Sequence, residues 1–220
     1  MRKYKELLQL YKHPFTLIRL GRNRDGGYVV PKELLCKNFL SCGIANEISF
    51  ENDYVKNCDN ANIHCFDGTI NSFPSENAKL FNWHKLNVDK VDGEKTISMN
   101  TIIDKFFKGQ NELFVKMDIE GWEYQAFETM TDENIDKIKC MVLEVHFIDQ
   151  RYSDFETLLN KLSNFLVLVH KHDNHFGKYF DYENEHLPNV YELTFVHKKY
   201  IKNKEASNIK LPIDGLDFVN

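Results

Sequence analysis

Short apolar runs that are typical of β-strands alternate with segments of helical periodicity along most of this chain. The strand-like runs are 38–44, 62–67, 84–88, 113–118, 140–146, 165–169 and 191–196. Between most of them, apolar residues recur at intervals of three or four, the spacing that keeps one helix face buried. This alternation predicts an α/β fold with a mostly parallel seven-stranded sheet and helices on both faces. No helical pattern separates the last two runs, which predicts an antiparallel edge.

The first 35 residues precede this alternation and have a pattern of their own. Apolar residues recur at helical spacing from Tyr4 to Tyr11, which predicts a short amphipathic helix. Farther on, Asp25-Gly26-Gly27 between apolar flanks is typical of a tight hairpin turn. We expect residues 1–35 to form an N-terminal helix and a lid-like segment. No repeat or linker interrupts the chain, so residues 1–220 are expected to form a single domain.

The composition excludes several classes of protein. Hydrophobic residues make up 42% and charged residues 28% of the chain, which is the balance of a globular protein and not of a disordered one. The net charge is -5 and no block of Lys and Arg is present, so nucleic-acid binding is not expected. No apolar stretch approaches membrane-spanning length, and no secretory signal opens the chain. The five cysteines lack the spacing of redox or zinc motifs, so a cytoplasmic protein is predicted.

Polar residues and one glycine stand where the predicted strands end. In sheets of this kind, ligands bind outside the carboxyl ends of the strands. Gly43 allows a close approach of the backbone, but the three spaced glycines of a dinucleotide fingerprint are missing, which argues against nicotinamide or flavin. Asp67 is positioned to accept the ribose hydroxyls of an adenosine, with a helix cap or turn as the alternative. The candidate site residues at or just after the strand ends are Gly43, Asp67, Asp118, Glu120, Glu144, His146 and His172.

The carboxylates after the fourth strand permit two interpretations. Asp118 and Glu120 share one face if the strand continues, and packing alone does not explain two carboxylates there. Capping of the following helix explains Glu120 or Glu123 about as well, since anions favour helix N-termini. For Asp118 we favour a functional role. The polar run His170–His175 follows an apolar strand, and either a functional site or surface scatter accounts for it.

The segment Val115–Glu123 resembles the Lys-hydrophobic-Asp-hydrophobic-Glu-Gly-x-Glu signature of the FkbM-type methyltransferases. The segment Arg19–Tyr28 is similar to an N-terminal motif in one bacterial branch of this family. Further matches to that branch keep the same order and spacing over residues 16–200. They are Ser41–Ile44, Phe66–Ile70, Leu143–His146, His170–Asn174 and Glu192–Phe195. The resemblance implies a Rossmann-like class I methyltransferase fold, bound S-adenosylmethionine and methylation of a sugar hydroxyl.

The resemblance also implies which ligands bind and where. The expected acceptor is a nucleotide sugar or a surface-polysaccharide precursor, a small molecule in either case. Many class I members have several glycines in the first loop, whereas this chain has Ala45-Asn46-Glu47 and departs from that pattern. The residues expected to contact the cofactor are Gly43, Asp67, Asp118, Asp25, Gly26 and Tyr28.

Methyl transfer from a sulfonium requires that the protein align the acceptor and remove its proton. We predict that His146 is the general base, because imidazole titrates near neutral pH, with Asp118 or His172 as alternatives. A divalent metal held by Asp118, Glu144 and His146 is a second way to activate a hydroxyl, but no tight ligand motif favours it. Two other functions remain open: a metal-dependent glycosyltransferase with its metal at Asp118-Ile119-Glu120, and a non-catalytic binding module on the same fold.

Overall fold

The computed structural model describes residues 4–74, 78–174, 177–182 and 185–218 of the 220-residue chain. The helices of this part are α1 (Tyr4–Leu7), α2 (Ser49–Asn57), α3 (Met99–Phe106), α4 (Glu123–Glu128), α5 (Asp132–Asp136) and α6 (Tyr152–Leu162). The strands are β1 (Leu17–Leu20), β2 (Tyr28–Pro31), β3 (Asn38–Cys42), β4 (Asn62–Phe66), β5 (Asn82–His84), β6 (Asn87–Asp89), β7 (Thr96–Ser98), β8 (Leu113–Met117), β9 (Ile138–Val145), β10 (Leu166–Asp173), β11 (Tyr179–Tyr182), β12 (Glu185–Pro188) and β13 (Tyr191–His197). Short 3-10 turns cover Lys32–Leu34, Ala78–Leu80 and Lys198–Tyr200.

Seven strands form the central sheet in the order β10-β13-β9-β8-β3-β4-β5. The strands β3, β4, β5, β8 and β9 pair in parallel, whereas β13 is antiparallel to both β9 and β10. The predicted mostly parallel, seven-stranded sheet with an antiparallel edge pair is confirmed. Because β13 inserts between β9 and β10, the antiparallel strand itself lies one position inside the edge. The chain reverses its progress across the sheet between β3 and β8, and ligands bind at such a switch point.

Two apolar cores cover the two faces of this sheet. Neighbouring strand residues such as Phe39 and Leu40 belong to opposite cores, because side chains alternate across a strand. One face packs against α1, α3, α4, α5 and α6, and the other packs against α2 and the β1–β2 hairpin. Helices therefore lie on both faces, as the alternation predicts. In α6 the buried residues have the amphipathic spacing of a surface helix and are Phe155, Leu158, Leu159 and Leu162.

One local prediction holds only in part and another was wrong. The N-terminal helix ends at Leu7, because the backbone of Tyr11 bonds instead to Leu168 on the edge strand β10. The predicted strand 84–88 is divided by a tight turn into β5, which joins the central sheet, and β6, which pairs with β7 outside it. In both places the backbone takes a long-range partner that a local apolar pattern does not encode. The predicted hairpin around Asp25-Gly26-Gly27 is present as the antiparallel pair β1–β2.

All five cysteines are free thiols. Four of them are buried, and Cys58 is half-buried. Burial raises the pKa of Cys42, at the end of β3, to about 12, so its thiol is not ionised at neutral pH. No helix in the described ranges is long and apolar enough to cross a membrane.

His64 on β4 and His84 on β5 are expected to make the protein less stable in mild acid. Their nitrogens Nδ1 and Nε2 lie 2.9 Å apart, and burial together with the charge of His84 lowers the pKa of His64 to about 4. The unfolded chain takes up this proton near pH 6.5, whereas the folded chain does so only at lower pH. This histidine pair should therefore lower the free energy of unfolding as the pH drops from about 6.5 to about 4. Urea unfolding across this range measures the slope.

The variant His64→Gln should lose part of this pH dependence, because glutamine does not titrate. The matched variant His186→Gln removes a histidine whose side chain is 66% exposed, and it should keep the wild-type slope. Equal slopes for His64→Gln and the wild type would show that the histidine pair does not cause the acid sensitivity.

Candidate active site

A cavity of about 550 Å³ opens at the carboxyl ends of β3, β4 and β8, around the switch point of the sheet. This volume is in the range of small-molecule sites, about 300–1,000 Å³. The cavity brings together three predicted ligand residues at the strand ends, Gly43, Asp67 and Asp118, with Asp25 and Gly26 of the β1–β2 turn. The full wall consists of Arg22, Asp25, Gly26, Gly43, Ile44, Ala45, Asn46, Glu47, Phe66, Asp67, Thr69, Asn87, Asp89, Thr96, Lys116, Asp118, Ile119, Glu120, Trp122 and Glu144.

Gly43 follows β3 in the left-handed region, at φ +82°, which glycine adopts far more readily than other residues. A Cβ atom at this position would lie 1.5 Å from the carbonyl oxygen of Asp118. The backbones after β3 and β8 therefore meet directly, and Asp118 N donates to Cys42 O at 3.0 Å. The close approach that this glycine permits is thus to the backbone of Asp118. Gly43 and Asp118 both line the cavity at the switch point of the sheet.

Asp67 holds the loop that follows β3. One of its carboxylate oxygens accepts from Ile44 N and Ala45 N at 2.9 and 2.8 Å. The other accepts from the backbone N and Oγ1 of Thr69 at 2.7 and 2.6 Å. Burial alone would raise the pKa of Asp67, but these hydrogen bonds lower it below its ordinary value. The turn-forming role weighed from the sequence is therefore present, and a bound ribose would share these charged oxygens.

Four carboxylates surround the imidazole of His146. Its Nδ1 lies 3.0 Å from Glu123 Oε1. Its Nε2 lies 3.5 Å from Glu144 Oε1, 3.7 Å from Glu120 Oε2 and 3.8 Å from Asp118 Oδ1. The ends of β8 and β9 are neighbours in the sheet, which is why residues 23 positions apart in sequence, such as Glu123 and His146, come into contact. We call these five residues the His146 cluster.

The crowded charges of the His146 cluster change the acid strengths of its members. Burial alone would lower the pKa of His146, but Glu123 and Glu144 raise it well above its ordinary value. Burial and the charge of Asp118 raise the pKa of Glu144. At neutral pH His146 is therefore an imidazolium, which cannot accept a proton. This charge state argues against the predicted role of His146 as the general base.

Glu144 is held from two further directions. Tyr28 Oη lies 2.6 Å from Glu144 Oε2 and 2.9 Å from Asp118 Oδ2. Asn174 Nδ2 donates to Glu144 Oε1 at 2.8 Å. The hydroxyl of Tyr28 has a single proton, so it donates to one of the two carboxylates at a time. The β1–β2 hairpin is therefore tied to the ends of β8 and β9 by a side chain 116 residues away from Glu144 in sequence.

Two residues of this region have backbone conformations that non-glycine residues rarely adopt. Glu120 after β8 and Phe147 after β9 both have φ 55°. Such strain costs about 1–3 kcal/mol and is concentrated at functional sites. The ring of Phe147 lies over Gly121, where a Cβ atom would be 2.6 Å from it. The side chains of Phe147 and Trp122 remain 41% and 51% exposed beside the cluster.

A comparison with protein families distinguishes among the functions that the sequence leaves open. The family model described as the methyltransferase FkbM domain matches residues 15–177. This chain belongs to the FkbM methyltransferase family. It is an S-adenosylmethionine-dependent methyltransferase, as its resemblance to the family predicts. Family membership favours methyl transfer over both alternatives, the glycosyltransferase and the non-catalytic module.

A comparison with solved structures finds precorrin-6y C5,15-methyltransferase from Geobacter metallireducens GS-15 to be similar to this methyltransferase. The two share 13% identity and superimpose with a TM-score of 0.39. The similarity covers 76% of this chain and 85% of that chain. No curated protein matches the methyltransferase.

The structure places His172 apart from the other predicted site residues of the methyltransferase. His172 lies on the edge strand β10, whereas His146 directly follows β9. Strand β13 runs between β10 and β9 and separates the two histidines. His172 lines a second cavity of about 420 Å³, and its Nδ1 lies 3.2 Å from Glu192 Oε2. Tyr28 is not part of the first cavity's wall, and it acts through Asp118 and Glu144 instead. His175 of the predicted polar run lies outside the described residues.

The sequence analysis placed Asn174 in a polar run and Lys116 in the family signature, but it predicted neither the contact of Asn174 with Glu144 nor the role of Lys116. Lys116 Nζ donates to Gly43 O at 2.6 Å and lies 3.6 Å from Glu51 Oε1. Burial alone would lower the pKa of Lys116, but the nearby carboxylates, Glu51 first, raise it. Lys116 therefore stays positively charged at its buried position in the cavity wall. Its position inside the apolar run 113–117 was the available signal, because a buried charge requires a partner.

The turn between β1 and β2 is expected to become protected when S-adenosylhomocysteine binds to the methyltransferase. Arg22, Asp25 and Gly26 of this turn line the cavity, and Arg22 Nη1 lies 2.9 Å from Glu47 Oε2 in the loop after β3. A ligand between these walls should slow amide exchange over residues 21–27. Hydrogen exchange read by mass spectrometry measures this, with α6, which does not line the cavity, as the internal control. Unchanged exchange in the turn with ligand bound would leave it a purely structural hairpin.

Proposed function

We propose that this methyltransferase transfers the methyl group to a hydroxyl of a sugar, carried by a nucleotide sugar or a surface-polysaccharide precursor. The supporting observation is that several carboxylates line the cavity close to two exposed aromatic rings. Asp118, Glu120 and Glu144 line the cavity, and Trp122 and Phe147 stand next to them. Carboxylates accept hydrogen bonds from sugar hydroxyls, and aromatic side chains provide apolar surface for the faces of a sugar ring.

The part of the cavity around β3 and β4 suits the methyl donor. Asp67 and the hydroxyl of Thr69 offer polar atoms for the ribose, and Ile44 and Phe66 offer apolar surface for the adenine. The backbone at Gly43 has no space for a side chain, so the floor of this part is set by main-chain atoms. When bound, S-adenosylmethionine supplies a methyl group that its sulfonium has already activated. The protein then has to align the acceptor oxygen and remove its proton.

In this proposal the proton of the acceptor hydroxyl passes to Glu144. Of the His146 cluster, Glu144 lies in the cavity wall and is oriented by both Tyr28 and Asn174. A carboxylate has about four lone-pair positions, so these two contacts leave room for an acceptor hydroxyl. His146 lies 3.5 Å from Glu144 Oε1 and compensates part of the negative charge. Asp118 also contacts the hydroxyl of Tyr28, and this shared contact holds the carboxylates of Asp118 and Glu144 next to each other.

Incubation of the full chain with S-adenosylmethionine and a panel of nucleotide sugars tests the proposal. Mass spectrometry should detect one sugar that gains a methyl group, together with an equal amount of S-adenosylhomocysteine. Fragmentation should place the methyl group on a sugar hydroxyl. The panel includes amines, thiols and carboxylic acids as controls. Methylation of those acceptors alone would overturn the sugar assignment and leave methyl transfer itself intact.

A further inference from the structure

Nε2 of His146 is surrounded by carboxylate oxygen atoms at distances longer than ordinary hydrogen bonds. It lies 3.5–3.8 Å from oxygens of Glu144, Glu120 and Asp118, whereas N–H···O bonds are about 2.7–3.2 Å long. Donors bound to one Mg²⁺ or Mn²⁺ at about 2.1 Å are about 3.0 Å apart when cis and about 4.2 Å apart when trans. The observed separations lie between these two values, so a bound ion requires shifts of a few tenths of an ångström in these side chains. One donor atom each of Asp118, Glu120 and His146 lie within 4.8 Å of one another.

Glu123 determines which nitrogen of His146 is left for a cation. Its Oε1 accepts from Ile119 N and Gly121 N at 3.1 and 3.2 Å and lies 3.0 Å from His146 Nδ1. An ionised carboxylate only accepts, so Nδ1 is the donor of this contact and Nε2 is directed at the other carboxylates. A carboxylate on the far ring nitrogen is the arrangement that orients metal-binding histidines. The side chain of His146 is only 9% exposed, so this nitrogen is aimed into the cluster and away from bulk water.

The backbone conformation of Glu120 is a further unusual feature of the His146 cluster. Its side chain is 81% exposed, yet its carboxylate lies 3.7 Å from His146 Nε2. An exposed glutamate reaches water from any backbone conformation, so exposure does not explain the positive φ of 55°. Backbone conformations of this kind persist where the surrounding structure holds them, and they are concentrated at functional sites. The turn after β8 thus brings Glu120 to the cluster at an energetic cost.

We infer that Asp118, Glu120 and His146 bind one hard divalent cation, Mg²⁺ or Mn²⁺, on the acceptor side of the cavity. Two carboxylates and one imidazole are donors that these ions accept, and the bound ion replaces the Nε2 proton that the imidazolium of His146 carries without it. Asp118 and Glu120 line the cavity, so an acceptor hydroxyl that enters it reaches the cation, which holds the oxygen and makes the hydroxyl more acidic. This catalytic use rests on the proposed function, whereas cation binding does not. Glu144 remains beside the site as the proton acceptor.

Titration of Mn²⁺ into the EDTA-treated full chain, followed through the EPR signal of free Mn²⁺, tests the site. We expect saturable binding of one Mn²⁺ per chain and its displacement by excess Mg²⁺. Glu120→Gln keeps the size and the backbone strain of the side chain but removes its charge, and it should weaken Mn²⁺ binding by at least about tenfold. Glu128→Gln removes a 59% exposed carboxylate of α4 outside the cluster, and it should bind Mn²⁺ like the wild type.

The absence of saturable Mn²⁺ binding, or equal affinities of the wild type and Glu120→Gln, would overturn the site. Calorimetry with S-adenosylhomocysteine on the same samples measures whether the donor part of the cavity still binds its ligand. Weakened Mn²⁺ binding with intact S-adenosylhomocysteine binding in Glu120→Gln would show a folded variant and support the site. Saturable Mn²⁺ binding that depends on Glu120, in an enzyme that methylates no sugar, would contradict the proposed function alone.

Discussion

Replacing Glu144 with glutamine is expected to slow methyl transfer by about 10²–10⁴-fold, the usual contribution of a general base. Glutamine keeps the size of the side chain and one acceptor oxygen for Tyr28, but its amide does not take up the proton of the acceptor hydroxyl. Binding of S-adenosylhomocysteine should be nearly unchanged, because we propose that the donor lies against the loops after β3 and β4. The rate of S-adenosylhomocysteine formation with the sugar acceptor measures the effect.

Glu192→Gln is the matched control for this substitution. Glu192 lies directly opposite Glu144 in the β9–β13 pair and is also buried, but it does not line the donor cavity. Its replacement should change the rate much less than that of Glu144, because its charge only contributes to the raised pKa of Glu144. A Glu144→Gln enzyme as fast as Glu192→Gln would remove Glu144 as the base. Asp118, the other carboxylate at the hydroxyl of Tyr28, would then be the residue to replace.

Replacing Lys116 with methionine should lower the free energy of unfolding by about 3–5 kcal/mol, the usual cost of removing one partner of a buried ion pair. Lys116 and Glu51 are both buried, with Nζ and Oε1 3.6 Å apart, and Ser41 Oγ donates to the same oxygen at 2.5 Å. Without the ammonium group, the buried Glu51 loses the cation that lies 3.6 Å from its Oε1, and Gly43 O loses its donor. Urea unfolding monitored by fluorescence measures the loss.

Lys139→Met provides the comparison on the neighbouring strand β9. Lys139 pairs with Glu112 at 3.0 Å, but Glu112 is 48% exposed, so the loss should be at most about 1 kcal/mol. The double variant Lys116→Met/Glu51→Gln should recover part of the stability, because it removes the unbalanced charge as well. A loss for Lys116→Met no greater than that for Lys139→Met would show that the buried pair does not stabilise the fold.

The residues at the strand ends could be predicted from the sequence. Gly43, Asp67, Asp118 and Glu144 each follow or end an apolar run, and all four line one cavity. The physical reason is that parallel strands end at the same edge of a sheet, so a polar residue at each end reaches the same crevice. Local periodicity is enough to locate those ends, and the order of the strands in space is not needed.

The contacts that set the chemistry of the site could not be predicted in this way. Tyr28 reaches Glu144 only because the β1–β2 hairpin packs against the sheet face that α2 also covers. Asn174 reaches the same carboxylate from the loop after β10, whereas His172, two residues earlier, lines another cavity. The protonation of His146 depends on Glu123, which follows the turn after β8, and on Glu144 of β9. None of these placements has a local sequence signal.

By itself the sequence determined the α/β order, the strand ends and the polar residues that stand at them, because short-range periodicity encodes these features. The tertiary structure alone decided that Glu144 is oriented by Tyr28 and Asn174, that His146 is charged, and that β13 separates β10 from the site. A pKa depends on burial and on the distances to every nearby charge. Those distances join residues far apart in the chain, and only the packed fold specifies them.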